Sequence, residues 1–248
     1  MDIRPDKIKY WMMKKVVNDE EYNKRIGLIS SLYEESQGLE ELGVHLISTD
    51  EKTGIQALER EILPMKPGSV AKHESEYKRN GTCCLIGNFE VSTGIVSGSL
   101  TSTRTEADFL THISETVKLD ETGSWIFVLD NLNTHKSESL VRFVAEDMGF
   151  TGDLGVKDKS GILKSMESRG AFLETVEHRI SFVYTPKHCS WMNQIEIWFS
   201  ILVRKLLKRS SFKSVDELKL RILEFMKYFN QTMAKPFKWT YKGKPLVA

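Results

Sequence analysis

The chain has 248 residues, 40% apolar and 28% charged, with only 6 prolines, a length and balance that can bury a full core and that exclude a disordered chain. Its 35 Lys and Arg nearly cancel 34 Asp and Glu, yet residues 201–248 hold 12 basic side chains against 3 acidic ones, which suggests a polyanion-facing end or, more plainly, a solvated Lys-rich helix pair. Cys83, Cys84 and Cys189 are odd in number and lack CxxC spacing, which excludes a disulfide framework or a thiolate zinc site and fits a reducing cytoplasm; no apolar run is long enough for a membrane span and the N-terminus lacks a signal-peptide core.

In chain order, residues 5–35 read as helical, first through PDKIKYWMMKK and then from Asn18, an N-cap candidate for a segment whose Tyr22, Ile26, Ile29 and Tyr33 share a face. SQGLEELG reads as a connector, and VHLIST as a core strand that ends in Asp50 and Glu51. Residues 54–77 are irregular. TCCLIGNFEV and GIVSGSL meet around residues 92–94 as a hairpin, and Thr103 is expected to cap a helix of about four turns. WIFVLD is a strand ending at Asp130, followed by the helix SESLVRFVAEDMG, closed by Gly149.

Residues 150–179 are polar and weakly patterned, an insertion or long loop. ISFVYT is the next strand, stopped by Pro186. Ser190 is expected to start a long helix with an apolar stripe of Trp191, Ile195, Trp198, Leu202 and Leu206, with Trp191 in the core. Ser214 opens the last helix with a capping box, SVDE, and a stripe of Leu218, Ile222, Phe225 and Phe229.

A three-stranded meander continued by βα units makes an α/β fold with a mixed sheet and helices on both faces. Asp50 and Asp130 then stand at the tips of two parallel strands, where open α/β sheets bind ligands. Each Asp alone is better read as a turn or cap residue; two at matched strand ends favour a hard divalent cation, Mg2+ or Mn2+, because like charges need neutralising. Glu196, at the margin of the stripe beside Val203, is the third acid, although a boundary Glu paired with a Lys or Arg is the plainer reading.

The D-E after the first strand, D-N-x-N-x-H at residues 130–135 and TPKHCSWMNQIEIWF at residues 185–199 resemble the catalytic domain of DDE transposases of bacterial insertion sequences related to mariner elements, the six-thirty family. The likeness runs from about Val44 to the C-terminus and includes FNQTMAKPFKWTYKGKPL. It implies a ribonuclease H-like fold with a mixed five-stranded sheet flanked by helices. In it Asp50, Asp130 and Glu196 bind two divalent ions, Mg2+ or Mn2+, about 4 Å apart, for in-line displacement at phosphorus. It implies double-stranded DNA as partner, both transposon ends and target, a homodimer, no membrane, and a cytoplasmic, bacterial, nucleoid-associated protein.

The resemblance also gives Asn131 and His135 the task of steadying the acids or touching a phosphate. Asn193, one turn before Glu196, is expected to bond that carboxylate or the DNA backbone. Arg204, Lys205, Lys208 and Arg209 are expected phosphate contacts, which position DNA without reading its sequence. Residues 1–43 are expected to be a helical remnant or linker of an N-terminal DNA-binding region, and residues 44–248 the catalytic domain. Its insertion at about 150–179 accounts for the 66 positions between Asp130 and Glu196. The competing reading is a truncated, catalytically idle chain that binds DNA or pairs with a full-length copy to regulate transposition; a nuclease or resolvase of the same fold fits the C-terminal motifs less well.

Overall fold

The computed structural model describes residues 19–241 apart from Pro64 and Ala71. The expected helix over residues 5–17, the Asn18 cap and the tail after Tyr241 lie outside the described residues. Two helices, α1 (Asp19–Glu34) and α2 (Ser36–Glu41), lead into strand β1 (Val44–Glu59). A small ladder of β2 (Ile62–Leu63) and β3 (Lys72–His73) precedes β4 (Lys78–Glu90) and β5 (Val96–Thr101). Then come α3 (Glu106–Val117), β6 (Ser124–Leu129), α4 (Glu138–Asp147), α5 (Met166–Leu173), β7 (Ile180–Tyr184), α6 (Ile195–Leu202) and α7 (Val215–Thr232).

The five long strands form one mixed sheet in the order β5-β4-β1-β6-β7. β1 is antiparallel to β4 and parallel to β6, which is parallel to β7. Because side chains alternate along a strand, β1 supplies both cores. Leu46 packs with Ile26, Ile29, Trp198, Leu202, Leu218 and Phe229 from α1, α6 and α7. Ile47 packs on the other face with Phe109, Ile113, Leu140 and Val144 from α3 and α4. Among the described residues no helix is long and apolar enough to cross a membrane.

Several boundaries differ from the sequence expectation. β1 does not stop at Asp50. It continues to Glu59 because β4 pairs with it along the whole length, with bulges between Lys52 and Ile55 and between Gln56 and Leu58. SQGLEELG is not a mere connector but holds α2. The α3 cap is Thr105 rather than Thr103: Thr105 accepts from the Asp108 N–H while Asp108 accepts from the Thr105 N–H, and the helix has 12 residues. Residues 150–179 are ordered around a short turn, Ile162–Lys164, and α5.

The last helix pair differs as well. Ser190 opens only a 3-10 turn, and α6 begins at Ile195. Trp191 therefore falls outside the helical stripe; it is 39% exposed and meets Tyr241 edge-on. A π turn, Val203–Leu207, extends α6. Ser214 caps α7 as expected, but Glu217 accepts from the Lys213 N–H instead of completing the box.

Candidate active site

Two features of the sheet bring Asp50 and Asp130 together. In the parallel β1–β6 ladder Val44 lies opposite Ser124 and Ser48 opposite Val128. β6 ends at Leu129, so Asp130 is the first residue past the strand while Asp50 is held rigidly inside the longer β1. Asp50 falls on the face of the sheet that carries Leu46, the α6 face, and Asp130 follows directly on the strand that carries Val128 on that face.

Ser48, two residues before Asp50 on the same face and fully buried, fixes α6 on β1. Its hydroxyl accepts from the Ile195 N–H at 3.0 Å and donates to Asn193 Oδ1. Asn193, itself fully buried, donates from Nδ2 to the Thr49 carbonyl at 2.8 Å and to Asp50 Oδ2 at 3.3 Å. Asn193 was expected to bond the Glu196 carboxylate or the DNA backbone; within the chain its carboxylate partner is Asp50, because the residue precedes α6 rather than lying on it. Gly87 is the β4 partner of Asp50, and a side chain there would meet Phe199 at 3.0 Å and Ile195 at 3.4 Å. Its missing Cβ lets α6 lie flat on the sheet, and Glu196 sits exposed in the first turn of that helix.

The electrostatics report the gathering of acids. Asp50 is pushed up to about 7, chiefly by burial; the Glu51 N–H works against this, and the charges of Asp130 and Glu196 add to it. Asp130 is only half-buried; its partial burial pushes the carboxyl up, but His135 outweighs this, with help from the Leu132 N–H and the charge of Arg104, and holds it below the usual value. His135 is fully buried, with Nδ1 2.9 Å from Asp130 Oδ1 and Nε2 3.5 Å from Glu51 Oε1. Burial alone would lower the imidazole, yet these carboxylates raise it to about 9. The Glu51 contact is an ion pair rather than a good hydrogen bond, since His135 Nε2 and Glu51 Oε2 have no hydrogen-bond partner.

His135 is thus a buried cation between two carboxylates, packed on the Phe109 ring and tied at its own carbonyl by the Tyr184 hydroxyl. Asn131 touches neither Asp50 nor Glu196: it donates to the Thr185 carbonyl and accepts from Lys136 Nζ, which fastens the loop after β6 to the end of β7. Arg169, in α5, donates to the carbonyls of Lys136 and Leu163. The segment 150–179 therefore buttresses the turn Asn133–Lys136 that carries His135.

Arg204, Lys205, Lys208 and Arg209 are all exposed. Arg204 and Lys208 line a recess of about 500 Å³ together with Glu196, Lys52, Phe199, Ser200 and Val203; Lys205 and Arg209 do not. Lys52, Arg104 and Ser48 belong to this region and escaped the sequence reading, while Glu51 was read only as the second residue of the D-E pair. Of these, Lys52 was the most accessible, lying two residues beyond Asp50 on a strand. Among the described residues no three His, Cys, Asp or Glu side chains converge tightly enough to cage an ion as they stand. Asp130 is turned to His135, and Glu196 points into the recess. The donor set nonetheless suits a hard cation: carboxylate oxygens gathered at one end of the sheet, that of Asp50 buried.

The fold defines an α/β domain with acids gathered at the carboxyl end of its parallel strands, and comparison with known proteins gives the family. Residues 45–219 match the family model described as DDE superfamily endonuclease, and the chain belongs to that family. In overall structure it is similar to a chain of the Mos1 mariner paired end complex with Mn, at 15% identity and a TM-score of 0.52, with 89% of this chain and 59% of that one covered. It is also similar to a chain of the Mos1 strand transfer complex, at 16% identity and a TM-score of 0.51, covering 89% and 58%. These likenesses bear out the ribonuclease H-like, mixed five-stranded sheet flanked by helices. The chain spans about three-fifths of the length of those relatives. No curated protein matches it.

Proposed function

We propose that the protein is the catalytic domain of a transposase, a divalent-metal-dependent DNA endonuclease and strand transferase that acts at the ends of an insertion sequence of the six-thirty, mariner-related kind. The observation that carries this reading is the convergence of Asp50 in β1, Asp130 just past the neighbouring parallel strand, and the helix bearing Glu196, which Ser48 and Asn193 fasten beside Asp50, within a chain of the DDE superfamily endonuclease family. Both Mos1 complexes are DNA-processing assemblies by their names, one of them with Mn.

Asp50, Asp130 and Glu196 would hold two ions, Mg2+ or Mn2+, once Asp130 and Glu196 rotate toward Asp50. When bound, such a pair supplies charge neutralisation and polarises the attacking and leaving oxygens of an in-line displacement at phosphorus. The chain's own residues do the positioning. Asn193 and the Glu51 N–H orient the Asp50 carboxylate, and His135 keeps Asp130 ionised and aligned. Arg204, Lys205, Lys208 and Arg209 set phosphates against the acids as sequence-independent contacts.

Water as nucleophile releases the element's ends, and a freed 3′ hydroxyl as nucleophile joins them to target DNA, so no covalent protein–DNA bond is required. Residues 1–43 belong to the DNA-binding side of such a protein and residues 44–248 to catalysis. A homodimer on paired DNA ends, in the bacterial cytoplasm and on the nucleoid, completes the reading. The test is incubation with Mg2+ or Mn2+ and labelled duplexes carrying the inverted repeats that flank the gene. Metal-dependent cleavage that disappears in Asp130→Asn and Glu196→Gln is the expected result. Binding without cleavage in either metal overturns it in favour of an idle DNA-binding regulator.

A further inference from the structure

The recess at Glu196 adjoins a second one. This cleft, about 570 Å³, is lined by Lys52, Ile55, Gln56, Arg60, Leu207 and Lys208 among others, and it shares Lys52 and Lys208 with the first. Taken together they trace a trough that starts at Glu196 and follows the distal half of β1. From Lys52 to Arg60 a strand advances roughly 25 Å, a length matched by about seven phosphates on one strand of B-form DNA.

Among the described residues the cations along the trough carry no carboxylate partners, unlike five arginines elsewhere. Arg25, Arg142, Arg169, Arg179 and Arg221 each pair with a carboxylate. Among the described residues, none of those ion pairs involves Lys52, Arg60, Arg204 or Lys208, nor do the remaining Lys and His pairs. At the far end Arg60 and Arg79 both lie against the Tyr77 ring, with guanidinium carbons 5.1 and 5.5 Å from its centroid. Arg79 also donates to the Tyr77 hydroxyl, whereas the buried Arg60 Nε has no acceptor. The Arg60 backbone is pinned by Ser211, whose hydroxyl accepts from its N–H and donates to its carbonyl. Lys52 is steadied over the Phe199 ring at 5.8 Å. These are cations held in place, in a concave row, without anions of their own.

We propose that the trough is a phosphate track for DNA leaving the acidic site, with Lys52 and Lys208 at the near end and Arg60 and Arg79 at the far end. The assignment rests on the nuclease reading above and adds to it the path of the substrate.

The test is fluorescence anisotropy with a 30-base-pair duplex of arbitrary sequence, in EDTA, from low to moderate salt, so that no cleavage intervenes. Each phosphate contact contributes about 0.9 to the slope of log affinity against log salt. The variant Lys52→Ala/Arg60→Ala/Lys208→Ala is expected to lower that slope by roughly 2–3 and to weaken binding about tenfold or more at low salt. The control Lys118→Ala/Lys159→Ala/Lys164→Ala removes equal charge from other exposed positions and is expected to leave the slope unchanged. Should the trough variant melt early, Lys208→Glu alone carries the test, with the slope lowered by at least about 1.

An unchanged slope in the trough variant, or equal losses in trough and control variants, overturns the track. Wild-type cleavage in Mn2+, measured separately, tests the nuclease reading, so the two failures are distinguishable.

Discussion

Asp50, on β1, and Asp130, the first residue past the end of β6, lie two residues beyond the last pair of the parallel ladder, whose offset sets Val44 opposite Ser124 and Ser48 opposite Val128. The relationship is made by backbone pairing and survives any rotation of the two side chains. Its cost is a buried carboxyl. Asp50 titrates near 7 in the folded chain against an ordinary 3.8, chiefly through burial.

That cost gives a pH-dependent stability with a defined sign. Between about pH 4 and pH 7 the folded chain keeps a proton on Asp50 that the unfolded chain has released, so this group's contribution to stability falls as pH rises through that window. Asp50→Asn is expected to melt higher than wild type above pH 7 in EDTA, by roughly 1–3 kcal/mol, with the gain gone near pH 4, and to be inactive. Thermal denaturation at the two pH values checks it. An equal pH profile in both proteins contradicts it.

Glu51 acts through His135. A histidine raised to about 9 contributes stability that is fully present below its unfolded value near 6.5 and lost as pH rises through about 9. Glu51→Gln leaves His135 with Asp130 alone. The His135 titration followed by NMR is expected to move downward, stability near pH 7 to drop by about 1–3 kcal/mol, and the cleavage rate to fall while DNA affinity holds. An imidazole that titrates as before contradicts the role.

Gly87 sets the seat of α6. A methyl group there would stand 3.0 Å from Phe199 and 3.4 Å from Ile195, so the helix bearing Glu196 must lift or its side chains must repack. Gly87→Ala is expected to cost about 1–3 kcal/mol and to slow cleavage, whereas the distant Gly27→Ala, whose new methyl would meet nothing within 4 Å, leaves cleavage intact. Equal cleavage rates in the two variants would count against the seating role.

Arg169 links the insertion to the catalytic loop. Removing its guanidinium leaves the carbonyls of Lys136 and Leu163 without this donor, at an expected cost of about 2–4 kcal/mol. Arg169→Lys cannot reproduce the fork and restores only part of it. Hydrogen exchange across residues 133–136 is expected to rise in Arg169→Ala. Unchanged exchange there means the insertion does not brace the loop.

The sheet was legible because its strands announce themselves by apolar runs, and WIFVL and ISFVY are buried on one or both faces. The acids were legible for the same reason: Asp130 follows such a run directly. The extent of β1 was hidden, since residues 51–59 mix Glu, Lys and Gly, and their strand form comes from β4 alongside rather than from their own pattern. The start of α6 was hidden because Ser190 looks like a cap, while the actual anchor is Ser48, far away in sequence. The bond from Asn193 to Asp50 was hidden for that reason. Glu51 was masked by its neighbour: alternation sends it to the opposite face, where only the fold reveals His135 waiting.

The most direct measurement is a Mn2+ titration by electron paramagnetic resonance on wild type, Asp50→Asn, Asp130→Asn and Glu196→Gln. Wild type is expected to take up two ions per chain and each variant to lose at least one, with the Glu196→Gln loss showing that α6 contributes to the same centre. Undiminished Mn2+ uptake in Glu196→Gln would contradict a site shared by the helix and the two strands.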